Sequence, residues 1–327
     1  MRAIVMHEVG GPEALVLEEI PVPTAGPGEV VVRTEAIGTH FADTEVRAGK
    51  YLPARPESLP AGVGFEAVGV VTETGAGVDP ALLGRRRAVV LLAGAGTYAE
   101  YVAAPAAAAL PVPDGVGSVD AVAVGLQAAV ALGVLRAARL DGSESILIEA
   151  AAGAVGGYLL QLAREHGVGR IVATAGTPEK REHARRLGAD VVIDHGVPDW
   201  PARVPEALDG GELDVVFESI GGATAGQLLG AMTPASGRIV FYGMLAAKPP
   251  EIAPTDLLAR GLSLIGFGGR AGTELERIRS LHAEVLDRVA AGRLRPLVDS
   301  VMPLAEAEAA HRRLEERRGI GKIVLTP

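Results

Sequence analysis

The 327-residue sequence predicts an α/β protein: a doubly wound parallel sheet joined to a β-rich unit. Three observations lead there. Up to about residue 117, short β-branched runs alternate with proline and glycine, as in an all-β barrel. Beyond it, near-continuous Val/Ile runs alternate with helical segments, the pattern of buried parallel strands and their crossovers. Between the first such strand and its helix lies a small-residue turn at 150–156.

In the first stretch the expected strands are 2–6, 30–35, 66–72, 87–92 and 98–102, punctuated by Pro21, Pro23, Pro27 and Gly28. In the second, strands 146–149, 170–174, 190–193, 214–218 and 238–241 enclose helices at 155–166, 178–187 and 223–232. An amphipathic helix at 274–291 closes at Gly292, followed by a strand at 298–302, a helix at 304–316 and a strand at 322–326. One economical arrangement returns this tail to the first unit. The expected domains are residues 1–117 with 266–327, and residues 118–265.

Composition removes several function classes. A net charge of -9 disfavours nucleic acid as a partner, because phosphate contacts need a basic surface. The absence of cysteine rules out disulfides and thiolate chemistry, and His7, His40, His166, His183, His195, His282 and His311 lack ligand-like spacing, so no metal is expected. The most apolar run, 121–135, contains Gln127 and is shorter than the ~20 residues of a membrane span. It reads as a buried helix. Glu8 and the Gly10-Gly11-Pro12 turn interrupt any signal-like run, and a cytoplasmic location without membrane contact is expected.

The turn carries the chemistry. Glu149 is followed by Ala150-Ala151-Ala152-Gly153-Ala154-Val155-Gly156, then by a helix with apolar Leu159, Leu160 and Leu162. A strand, a glycine turn and a helix N-terminus present backbone N–H groups and partial positive charge to a diphosphate. Gly153 allows close backbone approach and Gly156 tight helix–strand contact, while Ala151 replaces the usual first glycine. At the end of the second strand no carboxylate follows Thr174, and Lys180 and Arg181 open the next helix. That favours a ribose 2′-phosphate over a free hydroxyl, hence NADPH. Ser219 and Gly221, and Tyr242 and Gly243, follow two further strands and are expected on the nicotinamide side.

The chain resembles, over its whole length, the zinc-independent quinone oxidoreductase branch of the medium-chain dehydrogenase/reductase superfamily. Residues 1–13, Pro27-Gly28-Glu29-Val30, Phe41-Ala42-Asp43, Gly64-Phe65-Glu66, 96–101, 150–156, Leu187-Gly188-Ala189-Asp190, 218–222 and 321–325 carry the likeness. The resemblance implies a GroES-like β-rich domain completed by the C-terminal tail, a Rossmann domain between, and a homodimer paired near residues 262–267. It also implies that Gly176 and Lys180 meet the 2′-phosphate, that Arg317 reaches the same cofactor, and that His195 stands where a tyrosine lies near the adenosine. Positions that bind zinc in relatives hold Thr39 and Phe65, so a zinc alcohol dehydrogenase mechanism is not expected.

The substrate end departs from the branch. His40 and Glu45 replace an asparagine and a tyrosine, and Val130 replaces a threonine, while Tyr51 keeps an aromatic. His40 and Tyr51 are the candidate hydrogen-bond and proton donors to a developing oxyanion. The expected reaction is hydride transfer to a small electrophile, a quinone or an α,β-unsaturated carbonyl. A narrow-specificity biosynthetic enoyl reductase and an NADPH-binding protein without catalysis are the alternatives.

Overall fold

The computed structural model describes residues 1–50, 58–91, 96–268 and 275–327; Tyr51 lies outside the described residues. The chain forms two compact units, residues 1–126 with 278–327 and residues 127–277. Both divisions fall inside helices, later than the expected 117 and 265. The first falls in the helix Ser118–Ala138, where the Leu126 N–H donates to Glu66 of the first unit at 3.1 Å. The second falls in Leu275–Ala290, whose His282 ring lies against Gly125 of that unit. Ser118–Ala138 is long and apolar enough to cross a membrane, but most of that stretch is buried, as in a core helix.

The first unit is built on two sheets. A seven-stranded sheet pairs Glu29–Gly38 with Glu66–Thr74, Tyr101–Pro105 and the terminal strand Lys322–Thr326. Alternation in Glu29–Gly38 and Tyr101–Pro105 sends Val30, Val32, Val102 and Ala104 into one core with Val71 and Val89. The expected strand at 98–102 begins later, because Tyr98 and Ala99 turn to meet the N-terminal strand: the Ile4 N–H donates to the Tyr98 carbonyl at 2.8 Å. A three-stranded sheet of Val16–Glu19, Arg2–Met6 and Ala61–Gly62 completes the unit.

In the second unit six strands lie parallel in the order Val191–Ile193, Arg170–Thr174, Ser145–Ile148, Val215–Glu218, Arg238–Phe241, Ser263–Gly266. Numbered along the chain that order is 3-2-1-4-5-6, the Rossmann arrangement, so the strand order reverses between Ser145–Ile148 and Val215–Glu218. Crossover helices Ala154–His166 and Pro178–Arg186 follow the first two strands. The expected helix at 223–232 is shorter, Thr224–Leu228, and tightens into a 3-10 turn at Leu229–Ala231. Leu147, Val172, Val216, Leu228, Met232 and Ile239 belong to one buried cluster.

Candidate functional site

The turn after Ser145–Ile148 is set by close backbone contacts. Ala150 takes a left-handed φ of 49°, an unfavourable conformation for a residue with a Cβ. The Gly153 N–H closes onto the Ala150 carbonyl at 2.9 Å. A Cβ on Gly156 would lie 2.7 Å from the Ala150 oxygen and 2.8 Å from the Ala151 Cα, so only glycine lets the helix pack this tightly. Gly153 caps the 13-residue helix with no side-chain hydrogen bond. Its first turn, Ala154 and Val155 included, therefore presents amide donors and a positive dipole end, with Ala152 buried behind it.

The second strand brings Gly176, Arg181 and His195 together. Arg181 donates to the Gly176 carbonyl at 2.9 Å and to Asp194 at 2.6 Å. Of the two cations at the start of this helix, Arg181 is thus committed to a carboxylate. A Cβ on Gly176 would lie 3.1 Å from His195 Nε2, while His195 Nδ1 lies 3.2 Å from Thr174 Oγ1. Arg317 lies in the first unit, exposed after the helix Ala307–Glu315 with a φ of 54°.

The turn after Val215–Glu218 folds around its own carboxylate: Glu218 Oε1 accepts from the Ile220 and Gly221 N–H groups at 2.8 and 2.6 Å. Gly221 has a φ of 79°, and a Cβ there would meet the Lys248 carbonyl at 1.9 Å. Gly243 is less crowded, its Cβ position 3.1 Å from the Ser219 carbonyl oxygen. Ser219 is buried, and burial pushes the Tyr242 phenol up against a hydrogen bond from the Ser219 side that lowers it, with the negative charge of Glu149 and Glu218 adding to the rise. The four residues expected around the nicotinamide therefore form one packed corner.

In the first unit His40 sits 8% exposed, with both ring nitrogens engaged. Its Nε2 lies 2.8 Å from Glu66 Oε2 and 3.0 Å from Lys322 Nζ, and its Nδ1 lies 3.4 Å from the same Nζ. Burial alone would push the Glu66 carboxyl up, but the Lys322 charge and the His40 bond outweigh it and hold it at about 2. An ionised carboxylate only accepts, so the His40 Nε2–H donates to Glu66 Oε2. The expectation that His40 polarises a substrate carbonyl meets a different arrangement, because its donor is spent on Glu66. Next to it, Asp43 accepts from the His40 N–H and from the Tyr98 hydroxyl at 2.7 and 2.8 Å. His311 continues the network between Tyr98 and Arg47, which pairs with Glu315.

The sequence reading passed over the Glu66–Lys322 pair and the acids Glu149 and Glu218. A signal existed: each of the latter ends an apolar strand where a solvated residue has no place.

The fold and this loop architecture define a two-domain dehydrogenase or reductase of the alcohol dehydrogenase type. Residues 26–114 match the alcohol dehydrogenase GroES-like domain and residues 154–286 the zinc-binding dehydrogenase domain. The chain is 35% identical to 2-haloacrylate reductase from a Burkholderia species, over 100% of this chain and 99% of the relative. It is 34% identical to quinone oxidoreductase from Pseudomonas aeruginosa, covering 97% of each. The crystal structure of Escherichia coli quinone oxidoreductase complexed with NADPH superposes with a TM-score of 0.90, at 29% identity and complete coverage of both chains. The chain belongs to the quinone oxidoreductase branch of the medium-chain dehydrogenase/reductase superfamily.

Proposed function

We propose that the protein is an NADPH-dependent, zinc-free reductase of quinones or α,β-unsaturated carbonyl compounds. The observation that carries this reading is the uncapped glycine turn at the point where the sheet order reverses, the place where such sheets bind dinucleotides. Relatives over the full length include an enzyme named for a 2-haloacrylate, an activated alkene, and two named for quinones. These favour an electron-poor acceptor over an alcohol.

NADPH supplies the hydride when bound. On this reading Ala152, Gly153, Ala154, Val155 and Gly156 hold the diphosphate through backbone N–H groups, and Gly176, Lys180 and His195 hold the 2′-phosphate end. Ser219, Gly221, Tyr242 and Gly243 shape the nicotinamide corner. The residues do not fit a zinc ion. The chain has no cysteine, no group of three or more His, Asp or Glu among the described residues could hold a metal, and the Lys322 ammonium already neutralises Glu66 beside His40. The protein's part is positioning. With the His40 donor directed to Glu66, we assign His40 to holding the helix Phe41–Arg47, and the reduced acceptor takes its proton from water or from Tyr51.

The outermost strand Ser263–Gly266 pairs only through one edge among the described residues, and Leu264 and Leu258 beside it are exposed. We assign this edge to a homodimer contact, checked by sedimentation, and the enzyme to the cytoplasm, checked by cell fractionation. The reaction is tested by following NADPH absorbance with naphthoquinones and acrylate-type acceptors. Tight NADPH binding without turnover on either panel would remove the catalytic reading.

A further inference from the structure

We propose that Glu149 and Glu218 share a single proton between their carboxyl groups, and that this bond positions the two turns flanking the dinucleotide crevice. The positioning half rests on the NADPH reading above; the shared proton rests on the geometry alone.

Glu149 follows Ser145–Ile148 and Glu218 ends Val215–Glu218, so the two acids stand side by side on adjacent parallel strands. The Glu149 N–H donates to the Phe217 carbonyl at 3.3 Å. These are the strands between which the sheet order reverses, and both side chains are fully buried. The chain leaving Glu149 is the diphosphate turn, and the chain leaving Glu218 is the turn 219–222. The pair is thus placed to tie one side of the crevice to the other.

Glu218 accepts two backbone N–H groups through Oε1, which favours its ionised form. Among the described residues, its Oε2 and both oxygens of Glu149 are buried without a donor at bonding geometry. The Ser219 N–H bears on Glu149 but does not close a bond with it. Two carboxylates side by side repel strongly in a low dielectric, and one of them keeps its proton. Burial first, then the charge of Glu218, pushes Glu149 well above the ordinary carboxyl range. The titratable groups acting on it are Glu218 and Tyr242, with Ser219 a polar neighbour, and none is a cation. The Glu149 hydroxyl therefore donates to the orphaned Oε2 of Glu218, and the bond satisfies both.

Infrared spectroscopy of the apoprotein at neutral pH is expected to show the C=O stretch of a protonated buried carboxyl, lost in E149Q. Glutamine keeps a donor and does not titrate. E149Q is expected to bind NADPH within about twofold of the parent at neutral pH, whereas E149L, which strands Glu218 Oε2, weakens binding about tenfold. On raising the pH the parent loses affinity as the shared proton leaves, and E149Q stays flat. Thermal unfolding gives an independent check. The raised Glu149 pKa contributes stability that is complete below the ordinary 4.5 and is lost as pH rises toward the folded value, so E149Q melts higher at neutral pH and the gap closes toward 4.5. Absence of the infrared band overturns the shared proton, whatever the cofactor does. A band with identical alkaline profiles for parent and E149Q overturns the positioning role. A band in a protein that binds neither NADPH nor NADH overturns the cofactor reading and the positioning role with it, leaving the shared proton standing.

Discussion

Glu66 holds His40 in place: its Oε2 accepts the imidazole Nε2–H at 2.8 Å in the interior of the first unit, with Lys322 Nζ 3.5 Å from the same oxygen. Lys322 is fully buried, and Gly38 gives it room, since a Cβ there would lie 2.9 Å from its Cε. The three side chains join the terminal strand to the start of the helix Phe41–Arg47. E66Q leaves a buried ammonium without its carboxylate and is expected to cost about 3–5 kcal/mol of stability. The double substitution E66Q/K322M should recover a large part, which a denaturant-unfolding cycle reads directly. Additive losses would show that the pair does not couple. The pH dependence has one sign: Glu66, held at about 2, contributes stability that is present above 4.5 and lost as pH falls through about 2.

Two histidines give a second acid-sensitive range, higher than that of Glu66. His282 is buried with both ring nitrogens lacking a partner among the described residues, and burial lowers it to about 4 despite the attraction of Glu66. His311 is lowered to about 3 by burial and by Arg47. Arg47 donates to its Nδ1, so Nε2–H points to the Tyr98 oxygen and the ring is neutral. A depressed histidine contributes stability that is present above the unfolded value of 6.5 and lost as pH falls toward the folded one. Stability should therefore decline by up to about 1.4 kcal/mol per pH unit for each histidine as pH drops from 6.5. H282L should flatten its share of that slope; an unchanged slope would mean that His282 is solvated.

Cofactor choice should follow Lys180. Arg181 is paired to Asp194, and on the reading proposed above Lys180 meets the phosphate. K180A should weaken NADPH binding roughly 10–100-fold, the value of a charge-assisted hydrogen bond, and leave NADH within about twofold. Calorimetry with both dinucleotides checks this, and equal losses for the two would place Lys180 in general electrostatics.

The parallel strands were legible because burial on both faces leaves a sequence no choice but Val and Ile, and the glycine turn because backbone contact at Gly156 tolerates no side chain. The fate of single polar residues was not legible. Lys180 and Arg181 are adjacent cations in the sequence, and only the fold brings Asp194 to one of them. His40 resembles a donor in a loop until Glu66 and Lys322, 26 and 282 residues away in the chain, close on its ring. Short-range patterns report periodicity and turn chemistry, whereas pairing across such separations is set by sheet order. The same holds for Glu149 and Glu218, which become neighbours only through a parallel crossover.

Thr174 offers a test of how the glycine turn and the Gly176–His195 corner are linked. Its hydroxyl is buried and accepts the Ala150 N–H at 3.2 Å, at the residue with the unfavourable φ, and it also lies 3.2 Å from His195 Nδ1. One hydrogen bond thus joins Oγ1 to the ring at Nδ1, and Nε2 is the nitrogen against Gly176. T174V keeps the shape and β-branching but strands the Ala150 N–H, and should cost about 1–3 kcal/mol of stability. It should also weaken NADPH more than NADH, because the released imidazole no longer keeps its place beside Gly176. T174S retains the hydroxyl and should restore both. If T174V and T174S bind the two dinucleotides alike, the hydroxyl carries no information from one end of the site to the other, and the turn holds its shape through Gly156 alone.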